Sequence, residues 1–298
     1  MDRKQKLLRL VLWGVIVLIA AGSVLMLLLK HREEGAAADL LPSMTSEDVV
    51  YDNADAYTVG GAELDAEDIR CVRLNWLTGR VVLRAAADGK IRFSEDYSGE
   101  EQYRLRYRAD GGELSIEPCR SGAVQLPEKT LTLELPADCL SELSLSLTSA
   151  ELDAEQVAVE QLSVSGVSGS LELNNIRAET LTLDTVSGAV SGEGLDAWEL
   201  RLGSVSGGVR LSGSFPRSSI ETTSGSVELS CVQTPEALDI ATVSGSVTLR
   251  LPGDAAFGYH FSTVSGSVAS TLPGASERTD AAVRVETTSG SLTLEARD

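Results

Sequence analysis

A short motif, valine or threonine followed by Ser-Gly, recurs through the second half of the chain and constrains the fold more than any other feature. From Ser168 to Ser289 the successive spacings of its serine are 19, 19, 18, 20, 21 and 24 residues. Thr148-Ser149-Ala150 lies 19 residues before Ser168 and matches the motif as a degenerate first copy. This near-constant period predicts a solenoid, in which each repeat is one turn that stacks on the next.

Apolar residues around each corner serine alternate as in a β-strand with one buried face. They lie mostly six and four residues before the serine and three and five after it, as with Leu181, Leu183 and Val190 around Ser187. Each unit is therefore predicted to be a strand, a Ser-Gly corner, a strand and a variable second corner. Glycine suits a corner that needs positive φ, and stacked serines can bond to nearby backbone or to each other. The predicted corner residues are Ser149, Ser168, Gly169, Ser187, Gly188, Ser206, Gly207, Ser224, Gly225, Ser244, Gly245, Ser265, Gly266, Ser289 and Gly290.

This pattern predicts an all-β fold, a β-solenoid of about 19–21-residue rungs that is regular over residues 141–298. Residues 61–140 are less regular and are predicted to be a β-rich cap continuous with the solenoid, with corners at Thr78 and at Gly111-Gly112. A separate small β domain over this region is the alternative. A β-sandwich is disfavoured because its hairpins would not require so constant a period.

An uninterrupted apolar run from Leu10 to Leu29 predicts one N-terminal transmembrane helix before the solenoid. Its length of about 30 Å at about 1.5 Å per residue matches the hydrocarbon core of a bilayer. Four basic residues precede the run and two follow it, so the positive-inside rule predicts a cytoplasmic tail over residues 1–9 and an extracellular C-terminal domain. Residues 30–60 are then a linker. A signal peptide cleaved near Ala36 is the alternative, although the run exceeds the usual h-region of about 7–15 residues.

The charge of the chain limits the classes of partner that it can be expected to bind. The net charge is −19, and residues 33–298 hold 43 Asp and Glu against 19 Lys and Arg. Such a surface repels phosphate backbones over a Debye length of about 8–10 Å. Nucleic acid is therefore not an expected partner.

The stretch LTLELPADCLSELSLSLTSAELDAE, followed by rungs of the form TVSGSVxL, resembles a known family. It is similar to the putative-adhesin domain of unknown function, a Ser-Gly repeat β-solenoid family of Gram-positive cell-envelope proteins. The resemblance covers roughly residues 60–298. It implies a β-solenoid, a cell-envelope setting and a link to adhesion or envelope-stress signalling, and it carries over no catalytic residues.

Few residues predict catalysis. His260 is the only histidine after residue 32, so a Ser-His-Asp arrangement is not expected. Asp153 and Glu172 occupy matching positions on neighbouring rungs, about 4.8 Å apart at the backbone. They are the pair that would suit a polysaccharide-processing β-helix enzyme, although no aromatic platforms for sugar rings are evident beside them. The sequence therefore favours a protein that is not an enzyme.

No metal or cofactor is expected. Acidic residues crowd the stretch from Asp52 to Asp68 and could supply oxygen ligands to Ca²⁺, but the stretch contains no EF-hand and no glycine-aspartate nonapeptide. A solvated acidic surface is the favoured interpretation. The cysteines lack the close pairs of a zinc site, and they either form disulfides or are small buried apolar residues. They are Cys71, Cys119, Cys139 and Cys231.

Together these features predict a membrane-anchored extracytoplasmic protein of the cell envelope, with an adhesin-like binding or scaffold role. Its expected partners are the membrane through residues 10–29, a cell-surface glycan or protein, and a second copy of the chain. The second copy is expected at the C-terminal rung, because the chain stops soon after Leu292 and Leu294 and an open rung presents unpaired backbone groups. A self-assembling structural component or an envelope-stress signalling component is the alternative.

Overall fold

A computed structural model describes residues 49–123, 126–137, 139–278 and 281–297. Within these ranges 22 strands form one continuous sheet, accompanied by three short 3-10 helices. The predicted all-β fold is confirmed. The predicted transmembrane helix and most of the predicted linker lie outside the described residues. No helix within the described ranges is long and apolar enough to cross a membrane.

The strands and helices follow one another closely along the chain. The 3-10 helices are Ala54–Ala56, Ala66–Asp68 and Glu101–Tyr103. The strands are β1 (Thr58–Val59), β2 (Ala62–Asp65), β3 (Cys71–Ala86), β4 (Lys90–Glu95), β5 (Arg106–Asp110), β6 (Glu113–Glu117), β7 (Lys129–Pro136), β8 (Glu142–Glu155), β9 (Ala158–Gly166), β10 (Leu171–Asn174), β11 (Arg177–Thr185), β12 (Val190–Ser204), β13 (Val209–Ser214), β14 (Arg217–Ser224), β15 (Val227–Cys231), β16 (Ala237–Ser244), β17 (Val247–Leu251), β18 (Phe257–Ser265), β19 (Val268–Ser270), β20 (Ala275–Glu277), β21 (Val283–Ser289) and β22 (Leu292–Ala296).

Parallel pairing between strands of successive repeats winds the chain into a solenoid. Strands that precede a corner form one stack, in which β8, β9, β11 and the second half of β12 pair in turn. Strands that follow a corner form a second stack, which includes β10, β13 and β15. Leu143, Leu162, Leu181 and Leu200 are aligned through the first stack and are each at most 1% exposed. Inward-facing residues of this kind form the core and confirm the solenoid.

The corner glycines are required by close backbone approach between rungs. A Cβ on Gly188 would lie 2.0 Å from the carbonyl oxygen of Gly169, and one on Gly207 would lie 1.9 Å from that of Gly188. Neither Gly188 nor Gly207 has a positive φ, so positive φ is the wrong reason for glycine at these two corners. Ser187 Oγ donates along the axis to the carbonyl oxygen of Val167 at 3.1 Å, as expected for stacked corner serines.

At the N-terminal end, the order of the rungs in space differs from their order in the chain. β3 pairs with β8 on one side and with both β6 and β7 on the other. The rung of β3 therefore lies between the rung of β6 and β7 and the rung of β8, although β3 precedes all three strands in the chain. Thr78 of β3 aligns with Ser149 of β8. The predicted corner at Gly111-Gly112 is wrong. These glycines, with φ of 58° and 84°, form the two-residue turn of the antiparallel hairpin β5–β6, because consecutive positive φ values match the twist of a hairpin.

The N-terminal edge of the solenoid is covered. β4 pairs antiparallel with β7 and is itself covered by β2, while β5 pairs antiparallel with β6 and is covered by β1. Glu63 of β2 lies 2.5 Å from Lys90 Nζ and 2.8 Å from Arg92 Nε. Short, charged strands at an edge discourage pairing with another chain.

At the C-terminal end the order is exchanged again. β16 and β17 pair with β21 and β22, which in turn pair with β18 and β19. The rung formed by β21 and β22, here called the last rung because it comes last along the described chain, therefore lies inside the stack. Residues 257–270 form the rung at the end of the stack, here called the terminal rung. Leu292 and Leu294 are 0% exposed. The expectation that the C-terminal rung is the open end is wrong.

The exchange has a simple physical reason. The last rung places Val283, Val285, Leu292 and Leu294 at its inward positions, and all four are 0% exposed. The terminal rung has Tyr259, Phe261, Val268 and Ser270 at the same positions. Burying the more aliphatic rung on both sides and leaving the more polar one at the end removes more apolar surface from water.

Candidate functional site

A groove of about 450 Å³ runs along the outer face of the first stack, beside the point where the described chain begins. We call it the outer groove. Its lining residues come from the chain start, from β3, β6, β8, β9 and β11, and from the corners after them. They are Val49, Val50, Tyr51, Asn75, Trp76, Leu77, Glu117, Ser144, Leu145, Ser146, Leu147, Thr148, Ser163, Val164, Ser165, Val167, Thr182 and Asp184.

A ladder of polar side chains forms the floor of the outer groove. Asn75 aligns with Ser146, Ser146 with Ser165, and Ser165 with Asp184 on successive rungs. Glu117 extends the ladder at the other end, where Asn75 Nδ2 donates to its Oε1 at 2.7 Å. Strand spacing of about 4.8 Å makes the ladder roughly 19 Å long. It therefore places two carboxyl groups at the ends of a row of hydroxyl and amide groups.

Glu117 is the more buried of the two carboxyls. It is 6% exposed, and burial raises its pKa to about 7, against the opposing hydrogen bond from Asn75. Such a group is protonated in mildly acidic solution, where it can donate a hydrogen bond, and ionised above neutrality, where it can only accept.

Asp184 lies at the other end of the ladder. Burial raises its pKa, and the charge of Glu221 adds to the rise. Gly203 occupies the ladder position between these two acids, so that rung has no side chain at this position. Asp184 itself is half-buried and lines the outer groove, so its carboxyl can accept hydrogen bonds from a ligand there.

The wall at the Glu117 end is fixed by two sets of contacts. Tyr51 donates its phenolic hydrogen to the carbonyl oxygen of Cys119 at 2.9 Å, and burial raises the pKa of Tyr51 to about 12. On the inner side, Lys129 Nζ lies 2.5 Å from Glu95 Oε2, with the two side chains 1% and 4% exposed. Lys129 also donates to the carbonyl oxygen of Pro118. The segment that carries Glu117 is therefore clamped between a tyrosine and a buried ion pair.

The outer groove combines polar and apolar contacts. The hydroxyls of Ser146 and Thr182 can both donate and accept hydrogen bonds, and Ser165 Oγ, which donates to the carbonyl oxygen of Leu145 at 3.4 Å, can still accept one. Leu77 and Val167 add apolar surface along the same groove, and Val167 is 38% exposed. A site of this composition suits an elongated ligand with many hydroxyl groups and apolar C–H faces.

The sequence did not single out the ladder, although a signal for it exists. Ser146, Ser165 and Asp184 each stand three residues before a corner serine. Aligning the repeats on that position shows a polar column on the outward side of the strands. Glu117 gives no such signal, because its rung is joined to the ladder only by the exchanged order at the N-terminal end.

The predicted corner residues do not line the outer groove, and they form a column of their own along the axis of the solenoid. Ser168 Oγ donates to Ser149 Oγ at 3.3 Å, and Ser206 Oγ donates to the carbonyl oxygen of Val186 at 3.3 Å. Gly290 packs against Gly245 in the exchanged order. These contacts join rung to rung, so we assign the corners a structural role.

The acidic pair Asp153 and Glu172 is aligned on neighbouring rungs, as the sequence indicated. Both oxygens of Asp153 accept hydrogen bonds from Arg84 at 2.9 Å, which holds the pKa of that carboxyl below its usual range. A general acid needs the opposite shift. Trp198, which the sequence did not mark, is 48% exposed, but the guanidinium of Arg217 lies over its ring, 5.4 Å from the centroid.

The other residues that the sequence offers as candidates for a site do not line the outer groove. No group of three or more His, Cys, Asp or Glu among the described residues could hold a metal ion. His260 is half-buried on β18, in the terminal rung. Cys71, Cys119 and Cys231 are free thiols, and burial raises the pKa of Cys231 to about 12. Cys139 Sγ donates to the carbonyl oxygen of Pro136 at 3.2 Å.

The fold and the ladder define an acidic β-solenoid with a polar outer groove. Residues 78–296 match the family described as Toastrack DUF4097. Because the match covers well over half of the chain, the protein belongs to this family. The predicted membership of a family of unknown function is thereby confirmed. The narrower prediction, a Ser-Gly repeat family of Gram-positive cell-envelope proteins, stays a prediction. A search of the curated proteins finds no match.

Several solved structures are similar to most of the chain. A putative adhesin from Parabacteroides merdae is 12% identical, with 85% of this chain and 100% of that chain covered and a TM-score of 0.44. A putative lipid binding protein from Parabacteroides distasonis is 13% identical, with 80% and 96% covered and a TM-score of 0.48. A putative adhesin from Bacteroides fragilis is 10% identical, with 80% and 97% covered and a TM-score of 0.36. The family membership rests on the match over residues 78–296 and not on these structures.

Proposed function

We propose that this chain is a membrane-anchored, adhesin-like binding protein of the cell envelope, and that its outer groove binds a cell-surface glycan. The observation that carries the proposal is the ladder from Glu117 to Asp184, with serine hydroxyls between two partly desolvated carboxyls. Catalysis is not part of the proposal.

A glycan fits the groove better than the other surface ligands. Sugar hydroxyls both donate and accept, and they can therefore satisfy Ser146, Ser165 and the carboxyl of Asp184 at the same time. The apolar faces of sugar rings can pack on Leu77 and Val167. An anionic ligand is disfavoured, because the chain carries a net charge of −19 and both ends of the ladder are acidic.

The membrane anchor is the second part of the proposal. The apolar run of residues 10–29 and the basic residues before it support a single span with the solenoid outside the cell. Val49 lines the outer groove, so the linker would enter the solenoid beside the binding site. Glycan that lies close to the membrane is therefore the expected ligand.

The test is a binding titration of the full chain, in detergent micelles, with purified cell-wall glycan fragments. Asp184→Asn keeps the shape of the groove and removes an acceptor, and we expect it to weaken binding about tenfold. Asp239→Asn is the matched control, because Asp239 lies on the outer face of the same stack but outside the groove. Wild-type protein that binds no glycan, or an Asp184→Asn variant that binds as tightly as Asp239→Asn, would overturn the proposal. Binding of peptides instead of glycan would assign the groove a protein partner.

A further inference from the structure

The terminal rung presents an open strand edge. Among the described residues, β18 and β19 pair only with β20, β21 and β22, all on one side. The carbonyl oxygens of Tyr259 and Ser265 accept hydrogen bonds from that side, from Arg278 N and Gly290 N. Because neighbouring residues of a strand point their backbone groups in opposite directions, the residues between them point outward. They are His260, Ser262 and Val264.

The core of the solenoid is also exposed at this end. Val268 is 36% exposed, whereas Leu292, the inward residue of the rung beneath it, is 0% exposed. Tyr259 and Phe261 take inward positions as well and are only partly buried. Val264 beside them is 67% exposed. The end of the stack thus offers apolar side chains together with unpaired backbone groups.

Charge distinguishes this end from the other one. Residues 257–270 contain no Asp, Glu, Lys or Arg, although the whole chain carries a net charge of −19. The N-terminal edge is covered by antiparallel strands and carries the Glu63, Lys90 and Arg92 cluster. A head-to-tail stack of copies would have to continue from the short edge strands β1 and β2, which pair antiparallel to their neighbours and do not continue the parallel stack. The uncharged end can meet a second uncharged end without repulsion between acidic surfaces.

We propose that the terminal rung is a docking surface for the terminal rung of a second copy of this chain. The two copies meet tip to tip, with each β18 antiparallel to the other around a twofold axis. This contact is isologous and closes as a dimer, because each copy has one such end. The outward backbone groups of one copy then pair with those of the other, and the exposed apolar residues of both rungs are covered.

The tip-to-tip contact would add to the proposed adhesin role, and in this respect it rests on the proposed membrane anchor. The stack contains ten rungs, counting the β6–β7 rung near which the described chain begins and the terminal rung at the other end. Nine steps of about 4.8 Å make roughly 43 Å. Two solenoids joined at their tips would hold their chain entries roughly 90 Å apart, at opposite ends of the pair. Such a contact links two facing membranes.

A single contact is expected to be weak. The terminal rung supplies 14 residues, 257–270, whereas stable complexes use about 20–30 residues on each side. Many copies on each membrane would act together, and the combined affinity would then greatly exceed that of one pair.

The test uses the full chain reconstituted into glycan-free vesicles, with vesicle clustering followed by light scattering. Val268→Glu places like charges at the contact, and Ser262→Pro removes an outward backbone donor at an edge position that tolerates proline. Val232→Glu is the matched control, because Val232 is also an exposed valine, at 50%, but lies away from the terminal rung. We expect wild type and Val232→Glu to cluster vesicles, and the other two variants to reduce clustering at least tenfold. Circular dichroism verifies that each variant is folded.

The vesicle experiment distinguishes failure of the tip-to-tip contact from failure of the membrane anchor. Vesicles that carry the outward-facing chain and stay dispersed would overturn the tip contact, as would clustering by folded Val268→Glu and Ser262→Pro at the wild-type level. A chain that does not float with the vesicles would overturn the anchor instead. In that case sedimentation velocity in detergent decides the contact: a dimer at high concentration that Val268→Glu removes supports it, and a wild-type monomer overturns it.

Discussion

Ser289 pairs in register with Ser244, although a complete rung separates them in the sequence. Ser289 therefore belongs to the interior of the solenoid, and the end of the stack is formed by an earlier part of the chain. The same kind of exchange occurs where β3 lies between β8 and the β6–β7 rung. The exchange at the C-terminal end holds β21 and β22 between two neighbours, so the backbone of this segment is paired on both sides.

Engineered disulfides test the exchanged order at the C-terminal end. Thr248 aligns with Thr293, and Thr293 aligns with Ala269. Paired Cα atoms on neighbouring strands are about 4.8 Å apart, within reach of a disulfide. We expect Thr248→Cys/Thr293→Cys to form an intramolecular disulfide and Thr248→Cys/Ala269→Cys to form none, as measured by mass spectrometry after mild oxidation. The reverse result would show that the rungs stack in chain order.

Substitution of Leu294 tests how deeply the last rung is buried. Leu294 is 0% exposed, so Leu294→Ala should lower the free energy of unfolding by about 2–5 kcal/mol. Val264→Ala, at an exposed site, should change it by less than about 0.5 kcal/mol. Urea unfolding followed by circular dichroism measures both. A Leu294→Ala variant as stable as Val264→Ala would place the last rung at the surface.

A corner glycine tests the close approach between rungs. A Cβ at position 188 would lie 2.0 Å from the carbonyl oxygen of Gly169, whereas one on Gly89 meets no atom within 4 Å. We expect Gly188→Ala to destabilise the fold by about 1–3 kcal/mol through overpacking. Gly89→Ala should be nearly neutral. Equal melting temperatures for the two variants would contradict the stated role of the corner glycines.

The buried carboxyl of Glu117 makes stability depend on pH. Its pKa is raised to about 7 by burial, whereas an unfolded glutamate titrates near about 4.3. Between these values the folded state holds a proton that the unfolded state has lost. The contribution of Glu117 to stability is therefore complete below about pH 4 and is lost as the pH rises through about 7.

Glu117→Gln removes this titration. Relative to wild type, the variant should gain about 1–3 kcal/mol of unfolding free energy between pH 5 and pH 8. Urea unfolding at the two pH values measures the difference, with the exposed Asp239→Asn as control. A constant difference between Glu117→Gln and wild type at both pH values would show that Glu117 is ionised throughout.

The sequence predicts which residues face the core better than it predicts which rungs are neighbours. Leu181 and Leu200 face inward because the alternation of apolar residues is local to each strand. The position of the last rung is not local: Val268 and Leu292 occupy equivalent apolar positions, and either could lie inside. Only the comparison of whole rungs, with Ser270 against Leu294, favours the exchanged order, and this comparison needs the stack to be known.

The outer groove could not be predicted from the sequence for a related reason. Glu117 and Asp184 lie far apart along the chain, and each alone is an ordinary acidic residue on a strand. Their shared ladder depends on β6 stacking against β3, which the irregular spacing of residues 61–140 conceals. Gly111-Gly112 presents a similar difficulty, because two glycines suit both a solenoid corner and a hairpin turn, and only the antiparallel pairing of β5 with β6 distinguishes the two.

Hydrogen–deuterium exchange of the full chain, with and without cell-wall glycan fragments, tests the central claim most directly, because it reports which surface the ligand covers. Slower exchange of residues 144–148 and 163–167 on glycan addition, with residues 257–270 unchanged, is the predicted result. Unchanged exchange of the groove segments under saturating glycan, or protection confined to another face of the solenoid, would contradict the account.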